Sequence, residues 1–363
     1  MKNTFGTSLS VTLFGESHGP EIGAVLDGLP PGLPVDEAHI AARLALRRPS
    51  GRISTARREA DPFRIASGVF EGKTTGTPLA ILIPNGDVRS ADYQRGPARP
   101  GHADHTAFEK YHGFEDYRGG GHFSGRITAA LVAAGAVVQQ ALERRGIWIG
   151  THIARCARVD DAPFGDLAAD IARLNGMAFA VLDEDAGARM REAIEAVGAA
   201  GDSVGGILET AVLGLPAGVG EPWFDTVEGV LAKALFSVPA VKGVEFGAGF
   251  ALCDMRGSEA NDPLRVQSGR VVAKSNNMGG VNGGITSGMP VCFRCAVKPT
   301  PSISLAQDTV DLLTGEETAL SVKGRHDPCI VHRARAVVDA VTALALADLL
   351  ALRYGTDWLG GEA

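Results

Sequence analysis

Residues 126–145 read RITAALVAAGAVVQQALERR, and this stretch decides the fold. Its apolar residues cover most sides of a 3.6-residue period until Glu143, so the helix it predicts belongs in a buried layer. Gly146 stops it. Upstream, Ser10–Phe14, Gly23–Asp27, Phe63–Val69 and Leu79–Pro84 read as short strands broken by Gly and Pro. Asp36 to Arg47 reads as a helix with Asp36 as its N-cap. Downstream, residues 160–185 lose periodicity and read as surface elaboration, and Ala334–Leu352 reads as a last helix. Strands grouped by hairpin-like turns, with helices gathered between them, predict an α+β chain rather than a doubly wound sheet.

One theme occurs twice. Residues 24–32 (AVLDGLPPG) precede the first helix, and residues 211–218 (AVLGLPAG) precede another over Asp225–Phe236. A strand, a Gly-Leu-Pro-x-Gly turn and a helix repeated half a chain apart predict two related halves, about 1–150 and 200–363, in a single domain spanning 1–363.

The 363 residues are 45% hydrophobic and 21% charged, enough for a large core. A net charge of −7 with no basic tail argues against nucleic acid as a partner. The polar N-terminal segment lacks a signal design, and the longest apolar run, Ile127–Val138, is short for a bilayer. The expectation is a soluble, cytoplasmic protein without membrane contact. Cys292 and Cys295 look like a C-x-x-C pair, but they alternate within a strand pattern and point to opposite faces. Plain packing is expected of them, and no metal site. Gly68 to Thr74 resembles a phosphate loop one residue too short, and reads as a hairpin.

The chemistry concentrates between Arg95 and Arg126, where Arg99, His102, His105, His112, Arg118, His122 and three consecutive glycines crowd together. Gly119-Gly120-Gly121 lets backbone approach a ligand, or only supplies positive φ. A second cluster holds Arg43, Arg47, Arg48, Arg52, Arg57 and Arg58, whose planar forks suit phosphate and carboxylate. His18 stands at a strand mouth after Ser17, and His102 follows Arg99; either can exchange a proton near neutrality, although a lone His is more often structural. Near the C-terminus, Arg325, His326 and Asp327 precede the last helix, with Asp327 either an N-cap or a proton relay.

These segments, in order, resemble the chorismate synthase family: FGESHG (14–19), RRP (47–49), VFEGKTTG (69–76), RPGHAD (99–104), DYRGGG (116–121), AVKGVE (240–245), SN (275–276), KPT (298–300) and GRHDP (324–328). The resemblance implies a β-α-β sandwich with internal pseudo-symmetry and a central helical layer, assembled as a homotetramer. It implies a lyase that converts 5-enolpyruvylshikimate 3-phosphate, a small-molecule substrate, to chorismate and phosphate. The reaction is a 1,4-anti elimination needing reduced FMN. With no nicotinamide-binding pattern in the chain, reduction, with NADP as the associated nucleotide, would fall to a separate flavin-reducing system. By the family match, His18, His102, Ser17 and Asp327 are catalytic. Arg48, Arg52, Arg99, Arg126 and Arg325 contact the substrate anion. FMN falls to Gly121, His122, Phe123, Ser124, Pro239, Ala240, Gly280, Lys298, Pro299, Thr300, Pro301, Ser302 and Arg325.

Three departures matter. The family's Arg-Ser-Ser-Ala-Arg-Glu-Thr after the glycines reads His122-Phe-Ser-Gly-Arg-Ile-Thr128, its Lys-Pro-Thr-Ser-Ser reads Lys298-Pro-Thr-Pro-Ser302, and an Asn before Ala240 is Pro239. Losing a charged anion contact costs about 1.5–3 kcal/mol, so FMN binding is expected to be weakened or reoriented. Two readings follow: a working enzyme of this family, or a divergent paralog. The paralog would act on a related enolpyruvyl cyclohexene or serve as a binding or regulatory homologue.

Overall fold

Two antiparallel sheets of five strands enclose a layer of helices. The first holds β1 (Thr4–Phe5), β2 (Ser10–Gly15), β3 (Glu21–Asp27), β4 (Arg64–Ser67) and β5 (Leu79–Pro84), in the spatial order β1-β2-β3-β5-β4. The second holds β6 (Trp148–Cys156), β7 (Val159–Asp160), β8 (Gly206–Leu213), β9 (Val241–Phe246) and β10 (Val291–Val297), in the order β9-β10-β8-β6-β7. The computed structural model describes residues 2–49, 51–55, 60–86, 93–322 and 327–360.

The principal helices are α1 (Glu37–Arg47), α2 (Asp104–Tyr111), α3 (Thr128–Arg144), α4 (Leu167–Leu174), α5 (Glu184–Ala199), α6 (Val227–Ser237) and α7 (Val331–Tyr354). α3 packs on the first sheet, α7 on the second, and the two pack on each other. Buried side chains run almost without interruption from Thr128 to Leu142, as the apolar run requires. Gly135 makes the close approach possible: a Cβ there would lie 2.4 Å from the Cβ of Ala340 on α7. Residues 125–144 are long and apolar enough to cross a membrane, contrary to the shorter run counted in the sequence. Yet 89% of that window is buried inside the protein, as in a core helix.

The repeated turn is built twice with the same hydrogen bonds. After β3, Thr74 Oγ1 donates to Pro30 O (2.6 Å) and accepts from Leu33 N (2.9 Å). After β8, Thr286 Oγ1 donates to Pro216 O (2.7 Å) and accepts from Val219 N (2.9 Å). Asp36 caps α1 by accepting from the amides of Ala38 and His39, as its position predicts. Residues 69–74 form a hairpin rather than a phosphate loop. Cys295 is buried and Cys292 only half-buried, on opposite faces of β10, and all five cysteines are free. No cluster of metal-ligating side chains occurs among the described residues.

Residues 160–185 are more than surface elaboration. They contain α4, capped by Asp166, and lead into α5; Ile171, Leu174 and Val181 are buried. The signals of α4 are present in the sequence, an Asp166 N-cap and apolar Leu167, Ile171 and Leu174 at helical spacing, but they fill only eight residues, and packing on β6 secures the helix.

Charge is buried deliberately in the helical layer. Asp339 on α7 pairs with Arg43 on α1, accepts from Thr151 Oγ1 at 2.6 Å, and lies 3.7 Å from Arg335. Burial pulls Arg335 down to about 10. Near the other end of α7, Asp348 accepts the backbone amides of Thr7 (3.0 Å), Ser8 (2.7 Å) and Leu9 (2.9 Å).

His152 on β6 is buried between Asp161 (2.8 Å) and Glu209 (3.0 Å). Burial alone lowers its pKa, but those two hydrogen bonds outweigh burial and raise it above 6.5. A raised imidazole stabilises the fold fully below its unfolded pKa, and the contribution is lost as pH climbs through the folded value. His152→Gln should therefore lower the urea midpoint more at about pH 6 than at about pH 9. An equal shift at both would show the ring to be neutral throughout.

Candidate active site

β2 ends at Gly15 and delivers Ser17 and His18 beneath the glycine turn. Ser17 N donates to Gly121 O at 3.0 Å. All three glycines have positive φ (60°, 83° and 52°), which side chains rarely adopt. The turn also presses against two imidazoles. A Cβ on Gly119 would lie 2.6 Å from His18 Nε2 and 3.0 Å from Ser17 Oγ; one on Gly120 would lie 2.9 Å from His102 Cε1. His18 and His102 thus stand on either side of one backbone segment. His18 also makes an edge contact with Tyr93, centroids 5.1 Å apart.

His102 is locked by its neighbours. Asp104, the first residue of α2, accepts from Arg99 N (2.9 Å), Nε (2.7 Å) and NH2 (2.7 Å) and lies 2.7 Å from His102 Nδ1. Burial would raise the Asp104 carboxyl, but the hydrogen bonds from Arg99 and His102 prevail and hold it far below the usual range.

Arg99, His102 and Gly119 line a cavity of about 890 Å³ between the glycine turn, the start of α7 and the loop after β10. Asp327, Lys298, Thr300, Pro301 and Ser302 line it, as do His122, Phe123, Ser124, Arg126, Pro239 and Ala240. Its described lining carries seven cations (Lys2, Arg47, Arg99, Arg126, Lys233, Lys298, Arg333) against one carboxylate, Asp327. Arg99, Arg126 and Arg333 are already ion-paired, with Asp104, Asp61 and Asp327, and the remaining excess of cations over acids on the lining favours an anionic ligand. The volume lies in the range of about 300–1,000 Å³ that ordinarily holds sizeable organic ligands.

Several site residues are held in ways the sequence did not reveal. Arg126 spends its guanidinium on the protein: Nε donates to Asn85 Oδ1 (2.8 Å), NH2 to Pro84 O (3.0 Å), and NH1 pairs with Asp61. Arg48 also approaches Asp61, with Nε at 3.9 Å. Asp61, buried and with φ of 47°, therefore fills an anion position with the chain's own carboxylate. Asp327 accepts Thr55 N (2.9 Å) and pairs with Arg333; α7 starts after Ile330, so Asp327 is not its N-cap. Arg333 Nε donates to Arg47 O at 2.8 Å, stitching α1 to the site. Lys298 Nζ donates to Gly101 O, and burial, with Lys242 nearby, lowers its pKa. His122 Nδ1 donates to Gly15 O at 2.8 Å, and Phe123 meets Tyr111 edge-on at 5.9 Å.

Arg48, Pro299, Gly121 and Gly280 do not line the cavity; Gly121 backs Ser17 instead, and Gly280 packs on Pro290. Arg52 is exposed. Arg325 lies outside the described residues. Asp61, Asn85, Asp104 and Arg333 were missed as site residues. Only Asp104 left a local signal, its place two residues after His102.

The chain's likeness to known proteins agrees with this geometry. The family model described as chorismate synthase matches residues 9–351. Chorismate synthase of Thermococcus gammatolerans is 50% identical over 350 residues, covering 96% of this chain and 97% of that protein. The Aeropyrum pernix chorismate synthase is 47% identical, covering 100% and 98%. A crystal structure of a chorismate synthase superposes with a TM-score of 0.77 at 30% identity, covering 96% of this chain and 94% of that one. The chain belongs to the chorismate synthase family and is an enzyme, a carbon–oxygen lyase of the shikimate pathway.

Proposed function

We propose that the chain converts 5-enolpyruvylshikimate 3-phosphate to chorismate and inorganic phosphate by 1,4-anti elimination, with reduced FMN bound beside the substrate. The observation that carries this reading is the cation-lined cavity of about 890 Å³ that holds His102 and Asp327, with Gly119 on its wall packed against Ser17 and His18. Substrate and flavin together bring carboxylates and phosphates, which suits a lining where cations outnumber acids even after Arg99, Arg126 and Arg333 are paired with Asp104, Asp61 and Asp327. Two buried hydroxyls without partners, Ser17 Oγ and Thr300 Oγ1, also fit a site built for a further polar group.

One C–O bond and one C–H bond of the substrate break, and the electron pair ends in the new diene, so there is no net oxidation. Reduced FMN, when bound, supplies the electron-rich ring that eases departure of the phosphate and is not consumed. Lys298, Thr300, Pro301, Ser302, His122, Phe123, Ser124, Pro239 and Ala240, which line the cavity, would hold it. Arg47 and Arg99, the members of the two arginine clusters on the cavity wall, bind substrate charge. His18 protonates the departing phosphate, and His102 controls charge beside the flavin. Ser17 and Asp327 pass the ring proton outward. The wider reading is a cytoplasmic homotetramer, each chain one domain of two related halves, served by a separate flavin-reducing system.

The test is anaerobic. Chemically reduced FMN and 5-enolpyruvylshikimate 3-phosphate are mixed with the protein, and chorismate and phosphate are followed. Equal release of both, with the flavin still reduced, is expected. A folded protein that is silent at saturating FMN would overturn the reading and favour a paralog with another substrate.

A further inference from the structure

We propose that Asp104 is a positioning residue for His102, fixing the ring with Nδ1–H turned onto the carboxylate and the Nε2 lone pair offered to the cavity. This rests on the reading of that cavity given above. A carboxylate only accepts, so a 2.7 Å approach of His102 Nδ1 to Asp104 Oδ1 places the proton on Nδ1. Arg99 NH2 lies 3.1 Å from the same nitrogen but has the better acceptor in Oδ1, at 2.7 Å. Three Arg99 contacts stop the carboxylate from turning.

Helix capping does not account for Asp104. The N-cap of α2 is Ala103, which has no capping side chain, and the Asp104 oxygens face Arg99 and His102. The ring edge lies against Gly120, where only hydrogen leaves room, since a Cβ would stand 3.2 Å from Nε2.

The pair also bridges two spaces. His102 lines both the main cavity and a second one of about 450 Å³, walled by Phe108, Phe123 and Leu320; Asp104 lines only the second. Imidazole and carboxylate thus run through the partition from the ligand side to the far side. Among the described residues, the other charged or titratable groups around the pair are Arg99, Tyr93 under Arg99, Lys298 on Gly101, His18 across the glycine turn, the Asp116–Arg118 pair, and Arg95, Glu115 and Tyr117 on the second cavity. None of them is placed to accept from Nδ1 in place of Asp104.

The first readout is the ¹⁵N shifts of the His102 ring in the unaltered protein, assigned by comparison with His102→Asn. An Nδ1–H tautomer is expected, and Nε2–H would overturn the proposal without any change at Asp104. In Asp104→Asn the Nδ1–H preference should be lost. kcat should fall by up to about 10⁴-fold, as when a buried aspartate behind a catalytic histidine is replaced, with KM for the substrate little changed. On a His102→Ala background the same change should add almost nothing, because the two act as a unit. Full additivity, or Asp104→Asn with wild-type tautomer and kcat, would refute it. The tautomer is read without turnover. An Nδ1–H ring in a protein inert towards 5-enolpyruvylshikimate 3-phosphate would sink the functional reading and leave this one standing.

Discussion

Gly119→Ala is expected to lower kcat by about a hundredfold or more while leaving a folded protein. The added Cβ would stand 2.6 Å from both Cδ2 and Nε2 of His18, and 3.0 Å from Ser17 Oγ. Non-bonded atoms do not share that space. His18 is 9% exposed and pinned by Tyr93, so the ring cannot simply swing aside. Either the imidazole shifts or the turn lifts, and with it the wall between His18 and His102. A displacement of about 1 Å at a proton-transfer group costs on the order of 10² in rate. Gly72→Ala separates this from backbone strain: its φ is 72°, and nothing lies within 4 Å of the new Cβ. That variant should lose a little stability and keep full turnover. Equal losses in the two, or an active Gly119→Ala, would show that the contact with His18 is irrelevant.

Asp339→Ala should be the most destabilising single change, at about 3–5 kcal/mol. The side chain is fully buried, and its removal leaves Arg43 and Arg335 charged in a dry interior and Thr151 without its acceptor. The depressed Arg335 pKa already shows how poorly that interior solvates a cation. Replacing Arg43 by Met and Asp339 by Leu together should recover much of the loss, since apolar packing can stand in for a buried pair. Urea midpoints of the single and double variants decide it. A single variant within about 1 kcal/mol of the parent would mean that water reaches the pair.

What the sequence could express, it expressed through short-range pattern. α3 was legible because almost every side of it is apolar, and α1 because Asp36 caps it. The Gly-Leu-Pro-x-Gly turns could be paired because the motif is written twice, whereas the threonines that close them, Thr74 and Thr286, lie too far along the chain to be read with them. His18, His102, Lys298 and Asp327 stood out by motif, and Gly119 to Asp327 come together only in three dimensions. What stayed hidden depends on distant partners. No local rule says that Arg126 is already held by Asp61 and Asn85, or that Arg333 reaches the carbonyl of Arg47. Nothing in the sequence near Asp61 shows that it holds both Arg126 and Arg48. α4 carries an aspartate cap like that of α1 and a clear apolar stripe, but over only eight residues, inside a polar stretch that reads as surface elaboration.

The grip of Asp348 on Thr7, Ser8 and Leu9 has a consequence for biogenesis. These partners are separated by up to 341 residues, so the amides of Thr7, Ser8 and Leu9 wait for their carboxylate until α7 has emerged from the ribosome, although β1 can already pair with β2. At about 5–20 residues per second, the interval is on the order of tens of seconds. Throughout it, the turn between β1 and β2 keeps three amides for water that the finished fold gives to Asp348. The tie between the last helix and the first turn is thus made at the end of synthesis, where the chain began.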